Sequence, residues 1–370
     1  MSRSRDLLLV TPDLFDRGGG IARIARATSL ACHEVCSRRG WRLTAFSLRD
    51  EGAQRDERFL PAGAGYHGFG GDRGALARAL LSRALRRSHV GTVFCHANLA
   101  SLGLLFPLRR WNGTRDYAVI AHGVEVYRRL PAIRRAALKC ARAVWPVSDF
   151  TGRQVAALQG VSGERLRTIH NCLDPHWLDE PLQSAHGSER YVLCVSRLSR
   201  ADRYKGIDDL IVAFGLAAGR LPELRLVLVG DGDDAARLRA LAASGPVAGR
   251  ISFAGDVDDA RLKRLYSGCE FFAMPSGKEG FGLVFLEAMA NGKAVLAARS
   301  TAVPEVVLEG ATGLLVEYGD IEQIAAAMLE LGSNRARARE MGERGRHRVS
   351  ERFSFRRYCS DLDDALASWG

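Results

Sequence analysis

Glu279 and Glu287 lie eight residues apart in GKEGFGLVFLEAMANG (277–292), the first on a glycine-punctuated loop and the second inside the apolar segment that follows. If that segment is helical, eight residues rise about 12 Å, so the two carboxylates can reach different parts of one elongated ligand. A carboxylate accepts two hydroxyl hydrogen bonds well, and a ribose diol offers two. The helix start, expected near Phe281, presents backbone N–H groups without intrahelical partners, a ready anion site. Gly280 and Gly282 let a ligand approach that backbone closely, with Phe281 and Leu283 alongside. Upstream, Arg197 and Lys205 in SRLSRADRYKGIDDL stand at a strand end and on the loop before a helix. An Arg fork and a Lys point charge at that place suit a diphosphate. Spacing alone leaves a second reading open: a locally paired Glu287, a solvated Glu279 and two solvated cations.

The scaffold that would position these groups alternates short apolar strands with amphipathic helices almost throughout, the pattern of parallel α/β architecture. Strands are expected at DLLLVTP, RLTAFSL, TVFCHA, YAVIAHG, AVWPVS and LRTIHN in the first half. In the second half they are expected at YVLCVSRL, LRLVLVG, RISFAG, CEFFAMPS, KAVLAA and GLLVEY. Each half then forms a doubly wound, Rossmann-like sheet, which binds ligands at the carboxyl ends of its strands. The polar, proline-containing stretch CLDPHWLDEPLQSAHGSER has no clear period and reads as a linker. The expected organisation is a domain at 1–172, a linker at 173–190, a second domain at 191–352, and a C-terminal helix at 353–370 crossing back to the first. Two sheets facing across such a linker would leave a cleft between them.

With 370 residues the chain exceeds one ordinary core,. Its apolar runs are far shorter than the ~20 residues that cross a bilayer. The N-terminus MSRSRDLLLV passes straight into a strand, so no cleavable signal is expected,. The cysteines are scattered through apolar segments with no C-x-x-C pair, which reads as reduced core thiols in a cytoplasmic protein,. Cys32 and Cys36 could share a helix face, but no second pair of soft ligands completes a zinc site. The net charge of +11 is uneven: residues 1–180 hold 28 Lys and Arg against 16 Asp and Glu, and residues 181–370 hold 25 against 26. RGALARALLSRALRR (73–87) and the segment carrying Arg134, Arg135, Lys139 and Arg142 read as basic amphipathic helices. They suit an anionic membrane surface, or are solvated faces of an Arg-rich composition. Nucleic acid is not an expected partner, because no aromatic-interleaved basic patch or reading helix appears.

DGDD (231–234) and DVDD (256–259) invite a metal reading, yet each follows a strand and precedes a helix, where Asp caps N–H groups,. Arg197, Lys205 and the helix start can meet phosphate charge by themselves, so no metal and no other cofactor is expected. The triplet Gly18, Gly19 and Gly20 in RGGGIAR is read as a tight strand-to-helix turn and is not a G-x-G-x-x-G fingerprint,. His122 in IAHGVE, taken alone, reads as a satisfied strand-end histidine,.

SRLSRADRYKG, GDGDD after LVLV, GKEGFGLVFLEAMANGKAVLA and VPEVV together resemble glycosyltransferase family 4, retaining enzymes of the GT-B fold. The resemblance covers the second half nearly end to end and is most specific at the E-x7-E of EGFGLVFLE. In the first half it rests on RGGGIAR and IAHGVE. It implies that Glu287 binds the ribose of a nucleotide-sugar donor, that Glu279 holds a hydroxyl of the donor sugar, and that Arg197 and Lys205 neutralise the leaving diphosphate. It further implies phosphate or sugar contacts from Gly280, Phe281, Gly282 and Leu283. On the acceptor side, His122 would bond the sugar, and Gly18, Gly19 and Gly20 would lie near the phosphates and acceptor. The expected reaction moves a hexose from a UDP- or GDP-linked donor to an acceptor hydroxyl with retention, without metal. The acceptor would be a lipid-linked saccharide of bacterial surface polysaccharide synthesis, such as exopolysaccharide or lipopolysaccharide. The protein would then be cytoplasmic, peripheral on the inner face of the cytoplasmic membrane. The rival readings are another GT-B-like nucleotide-sugar enzyme, a phosphorylase or epimerase, and a catalytically silent membrane-binding partner.

Overall fold

The structure, a computed structural model, describes residues 5–16, 19–52, 55–106, 115–177 and 189–369. Gly18 and most of the expected linker lie outside them. Contacts divide the chain into two units: Met1–Asp174 together with Ser354–Gly370, and Pro175–Phe353.

The first unit runs β1 (Arg5–Thr11), α1 (Gly20–Arg38), β2 (Trp41–Ser47), β3 (Gly65–Gly68), α2 (Arg73–Ala84), β4 (His89–Phe94), β5 (Arg115–Ala121), α3 (Ala132–Cys140), β6 (Ala141–Pro146) and α4 (Asp149–Gln154). Its strands form one parallel sheet in the order β3-β2-β1-β4-β5-β6, so the winding reverses between β1 and β4. Leu7, Leu8, Leu9 and Val10 of β1 are fully buried, as an apolar run must be when helices cover both faces,. One face of the sheet packs a core built on Phe94, Tyr117, Phe106 and Leu80.

The second unit contains β7 (Arg190–Val195), α5 (Ile207–Ala217), β8 (Leu224–Val229), α6 (Ala235–Ser244), β9 (Ile251–Gly255), α7 (Asp259–Gly268), β10 (Phe271–Met274), α8 (Leu283–Ala290), β11 (Val295–Ala298), α9 (Val303–Val306), β12 (Gly313–Val316), α10 (Ile321–Ser333) and α11 (Arg335–Arg352). It too is one parallel sheet, in the order β12-β11-β10-β7-β8-β9, and it reverses between β7 and β10. A last helix, α12 (Phe355–Leu366), starts at a Ser354 cap and belongs to the first unit. It packs on α1, where the hydroxyls of Thr28 and Tyr358 meet at 2.7 Å and Arg39 Nε donates to Asp363 at 2.7 Å.

Several expectations need correction. LRTIHN forms no strand: it touches β6 through a single bridge from Leu166 to Val144, with Arg167 and Ile169 N–H groups donating to the Val144 and Pro146 carbonyls. Pro146 has no N–H to return, so the ladder cannot extend. The edge strand β3 was not expected, because GYHG has neither length nor an apolar run. Asp258 caps α7 by accepting from Arg261 N–H at 2.7 Å, but no aspartate of DGDD caps α6 through its side chain. Arg142 lies on β6 rather than on a basic helix, paired with Asp116 and only 9% exposed.

All eight cysteines are free thiols, seven of them buried. Burial pushes Cys36 and Cys194 up to about 12, so neither is a ready nucleophile,. Among the described residues no helix is long and apolar enough to cross a membrane.

Candidate active site

In the second unit two loops leave the carboxyl ends of β7 and β10, neighbouring strands at the point where the winding reverses. That is where an open α/β sheet leaves room for a ligand. The β7 loop is shaped by GDGDD. Gly230 and Gly232 have φ of 117° and 158°, and a Cβ on either would come within 2.4 Å of the Ser196 or Leu198 carbonyl oxygen. The DGDD carboxylates also face this loop. Asp233 accepts from Arg200 N–H at 2.9 Å, and Asp234 accepts from Arg203 Nε at 3.1 Å and Arg237 Nη2 at 2.6 Å. Those arginine bonds hold the Asp234 carboxyl well below the usual range,.

Arg197, two residues past β7, is largely exposed and reaches Asp202 at 2.9 Å. Asp202 is buried and accepts from Tyr204 OH at 2.9 Å, so it anchors the base of the guanidinium's loop. Lys205 ends the turn before α5, and its ammonium is ion-paired with Glu279. Gly277 N–H donates to the Tyr204 carbonyl at 2.7 Å, stitching the two loops by backbone as well.

The β10 loop carries Glu279, Gly280 and Phe281, all buried. The helix starts at Leu283, two residues later than expected, because Gly282 occupies the left-handed region at φ 91° as its N-cap. No side chain caps α8, so its leading N–H groups are offered outward,. Glu287 is 6% exposed, and Tyr266 OH on α7 donates to its Oε2 at 2.9 Å. The Tyr266 ring is wedged between Phe272 at 5.7 Å and Trp177 at 5.8 Å. Phe281 meets Phe353 edge-on at 5.4 Å. From the β11–α9 loop, Thr301 holds the backbone of Glu279.

In the first unit, Gly19 (φ 104°) is the N-cap of α1 and Gly20 its first residue. The loop leading to them is held by Asp50, fully buried, which accepts from the Leu14 and Phe15 N–H groups at 3.1 and 3.0 Å and from Tyr66 OH at 2.8 Å. His122 follows β5; its Nε2–H donates to the Cys95 carbonyl at 2.6 Å, while Glu125 accepts from its backbone N–H at 2.6 Å. His96, at the end of β4, lies 5.7 Å from the His122 ring. Its Nδ1 accepts from Asn98 N–H at 3.0 Å, and burial lowers its pKa to about 4, so it is neutral at pH 7.

Sequence reasoning thus missed Asp50, Tyr66, His96, Glu125, Asp202, Tyr266 and Thr301. Of these only His96 carried a signal, since HAN closes an apolar strand as His122 closes the next. Within the second unit Arg197, Lys205, Glu279 and Glu287 stand on loops and a helix at one sheet edge. His122, Gly19 and Gly20 stand at the corresponding edge of the first unit, and Gly18 lies outside the described residues.

Two six-stranded parallel sheets, each reversing at its first strand, make this a GT-B architecture, the class of many glycosyltransferases. Sucrose-phosphate synthase from Thermosynechococcus elongatus shares the fold across 98% of both chains (TM-score 0.76, 21% identity). So does Anabaena Alr3699/HepE, solved in complex with UDP and glucose, over 98% of this chain and 100% of that one (TM-score 0.74, 19% identity). Residues 180–348 match the family described as "Glycosyl transferases group 1", and residues 18–177 match "Glycosyltransferase Family 4". A GDP-mannose-dependent alpha-(1-6)-phosphatidylinositol monomannoside mannosyltransferase of Mycolicibacterium smegmatis is 30% identical over 388 aligned positions, covering 98% of each chain. The chain belongs to glycosyltransferase family 4.

Proposed function

We propose that this glycosyltransferase is a retaining, metal-independent hexosyltransferase, with GDP-mannose the first donor to test and a lipid-anchored glycan as acceptor. The mannosyltransferase relative, named for GDP-mannose and a phosphatidylinositol monomannoside, supports that donor and a lipid-anchored acceptor, and on that basis we place the reaction in bacterial surface glycan assembly. HepE, solved with UDP and glucose, keeps UDP-glucose as the second candidate to test. What most supports the reading is the convergence of the β7 and β10 loops, bearing Arg197, Lys205 and Glu279, at the carboxyl ends of their strands, ahead of the helix that carries Glu287.

In this reading Glu287 accepts the ribose hydroxyls, and Arg197, Lys205 and the backbone N–H groups from Phe281 to Leu283 take the diphosphate. Glu279 holds a hydroxyl of the sugar. The bond between the anomeric carbon and the phosphate oxygen lengthens to an oxocarbenium-like transition state. The acceptor oxygen bonds to the anomeric carbon on the face the phosphate leaves and gives its proton to the departing phosphate oxygen, so the anomeric configuration is kept. Negative charge grows on the diphosphate in that step, and preorganised cations stabilise it most there.

We further propose that the enzyme is cytoplasmic and docks on the anionic inner face of the membrane. Leu81 and Leu85 of the α2 segment are exposed beside exposed Arg78, Arg86 and Arg87, the composition of an interfacial face,.

The test is a panel of GDP- and UDP-hexoses with thermal shift and product NMR. A bound donor at about 100 times its Kd adds ~2.7 kcal/mol of stability. An inverted anomeric centre in the product would refute retention, and silence toward every nucleotide sugar would refute the donor site.

A further inference from the structure

Thr301 is the one non-glycine residue with positive φ (47°) among the described residues. A β-branched side chain is a genuine outlier there, and such strain persists only where the surroundings over-determine it. Here the surroundings are Glu279. The Thr301 hydroxyl accepts from Glu279 N–H at 2.8 Å and donates to the Glu279 carbonyl at 2.9 Å, using its single proton once,. Ala302 N–H reaches the same carbonyl at 3.4 Å, and Ser300 OH, one residue earlier, donates to the Ser276 carbonyl at 3.0 Å. The β11–α9 loop is therefore bonded along the β10 loop, and both backbone groups of Glu279 are claimed by one side chain.

We propose that Thr301 is a positioning residue: its strained backbone aims a hydroxyl that fixes where the Glu279 carboxylate stands against the donor sugar. The inference rests on the reading that Glu279 contacts that sugar. Glycine would satisfy the backbone at this position at no steric cost, but it would remove the hydroxyl that bonds both Glu279 peptide groups,. The side chain and the φ angle thus pull in opposite directions, and this makes the role separable from simple stability.

Three variants and one control test it, each read by kcat at saturating donor, by the Kd for the nucleoside diphosphate, and by Tm. Thr301→Ser keeps the hydroxyl and stays near the wild-type kcat. Thr301→Ala and Thr301→Gly both lose about 10-fold or more in kcat, because a misplaced reacting group is costly, while the Kd is unchanged. Thr301→Gly melts a few degrees above Thr301→Ala, since glycine adopts this φ without the strain a Cβ brings. Recovery of kcat in Thr301→Gly in step with its Tm would make Thr301 merely structural and overturn the proposal, as would a fully active Thr301→Ala. Glu279→Gln is the control. If it keeps the wild-type kcat, the sugar-contact reading itself is wrong and the proposal falls with it; a loss there with none in the Thr301 series defeats the proposal alone.

Discussion

The ammonium of Lys205 and the carboxylate of Glu279 are ion-paired, with side chains only 18% and 9% exposed. Removing either takes this ion pair away from a poorly solvated group, at a cost of about 1–3 kcal/mol. Lys205→Ala and Glu279→Ala should each lower the urea midpoint, and the double variant should lose less than the sum of the two. Additive losses would mean the pair does not interact in solution. In turnover, Lys205→Ala should cost on the order of 100-fold in kcat/KM through leaving-group charge.

Glu287 should behave differently from Glu279. It is held by Tyr266 OH and, in the proposed reading, binds ribose equally in ground and transition states,. Glu287→Gln should then weaken nucleotide binding about 10-fold or more with little change in kcat. Equal losses of nucleotide affinity for the Glu279 and Glu287 variants, measured by calorimetry, would contradict the division.

Activity should survive EDTA. The DGDD carboxylates of Asp233 and Asp234 are engaged by the backbone of Arg200 and the side chains of Arg203 and Arg237; in the proposed reading Arg197, Lys205 and the α8 start meet the phosphate charge. Arg197→Ala should cut kcat/KM on the order of 100-fold. A strict requirement for Mn²⁺ or Mg²⁺ would reopen those aspartates as ligands.

Acid should destabilise the first unit through His96. Its folded pKa is about 4, against an ordinary value of 6.5, because burial disfavours the charged ring. Glu125 opposes that shift, whereas His122, Arg134 and Arg49 reinforce it. Between those values the unfolded chain binds the extra proton, so the contribution is complete above about pH 6.5 and lost as pH falls toward 4. About 2 kcal/mol of a total near 3 kcal/mol should be gone by about pH 5. Denaturant melts of wild type and His96→Asn at the two ends of that window should show a smaller acid loss in the variant.

Membrane docking predicts binding to anionic liposomes that falls with salt, each Arg contributing ~1 kcal/mol within a Debye length of ~10 Å at 0.1 M. Arg78, Arg86 and Arg87 are the residues to reverse to Glu. Arg83 is not, because it is paired with buried Asp6 at 3.1 Å and its reversal would disturb the fold. Co-sedimentation that ignores lipid charge at low salt would make α2 an ordinary solvated face.

The parallel strands were legible because each is an apolar run doubly covered by helices, as at Leu7–Val10 and Phe271–Met274. GYHG was invisible because an edge strand of four residues with two glycines carries no pattern, and LRTIHN misled because its alternation ignored the missing donor at Pro146. In the site, charged residues at strand ends announced themselves. Their supports did not: Thr301, Tyr266 and Asp50 act through φ angles and contacts 16 to 36 residues away in sequence, which no local spacing encodes.

The chain enters the second unit beside Trp177 and leaves it at Phe353, and each of these rings rests on an aromatic that belongs to the proposed donor site: Tyr266, bonded to Glu287, and Phe281, two residues past Glu279. For exchanging donor preference between relatives by recombination, the natural cassette is therefore Pro175–Phe353 with both terminal aromatics included. A crossover placed only a few residues inside either boundary would graft Glu279 and Glu287 while stripping the rings that brace their surroundings. Such a hybrid would fold around a donor site built on foreign supports.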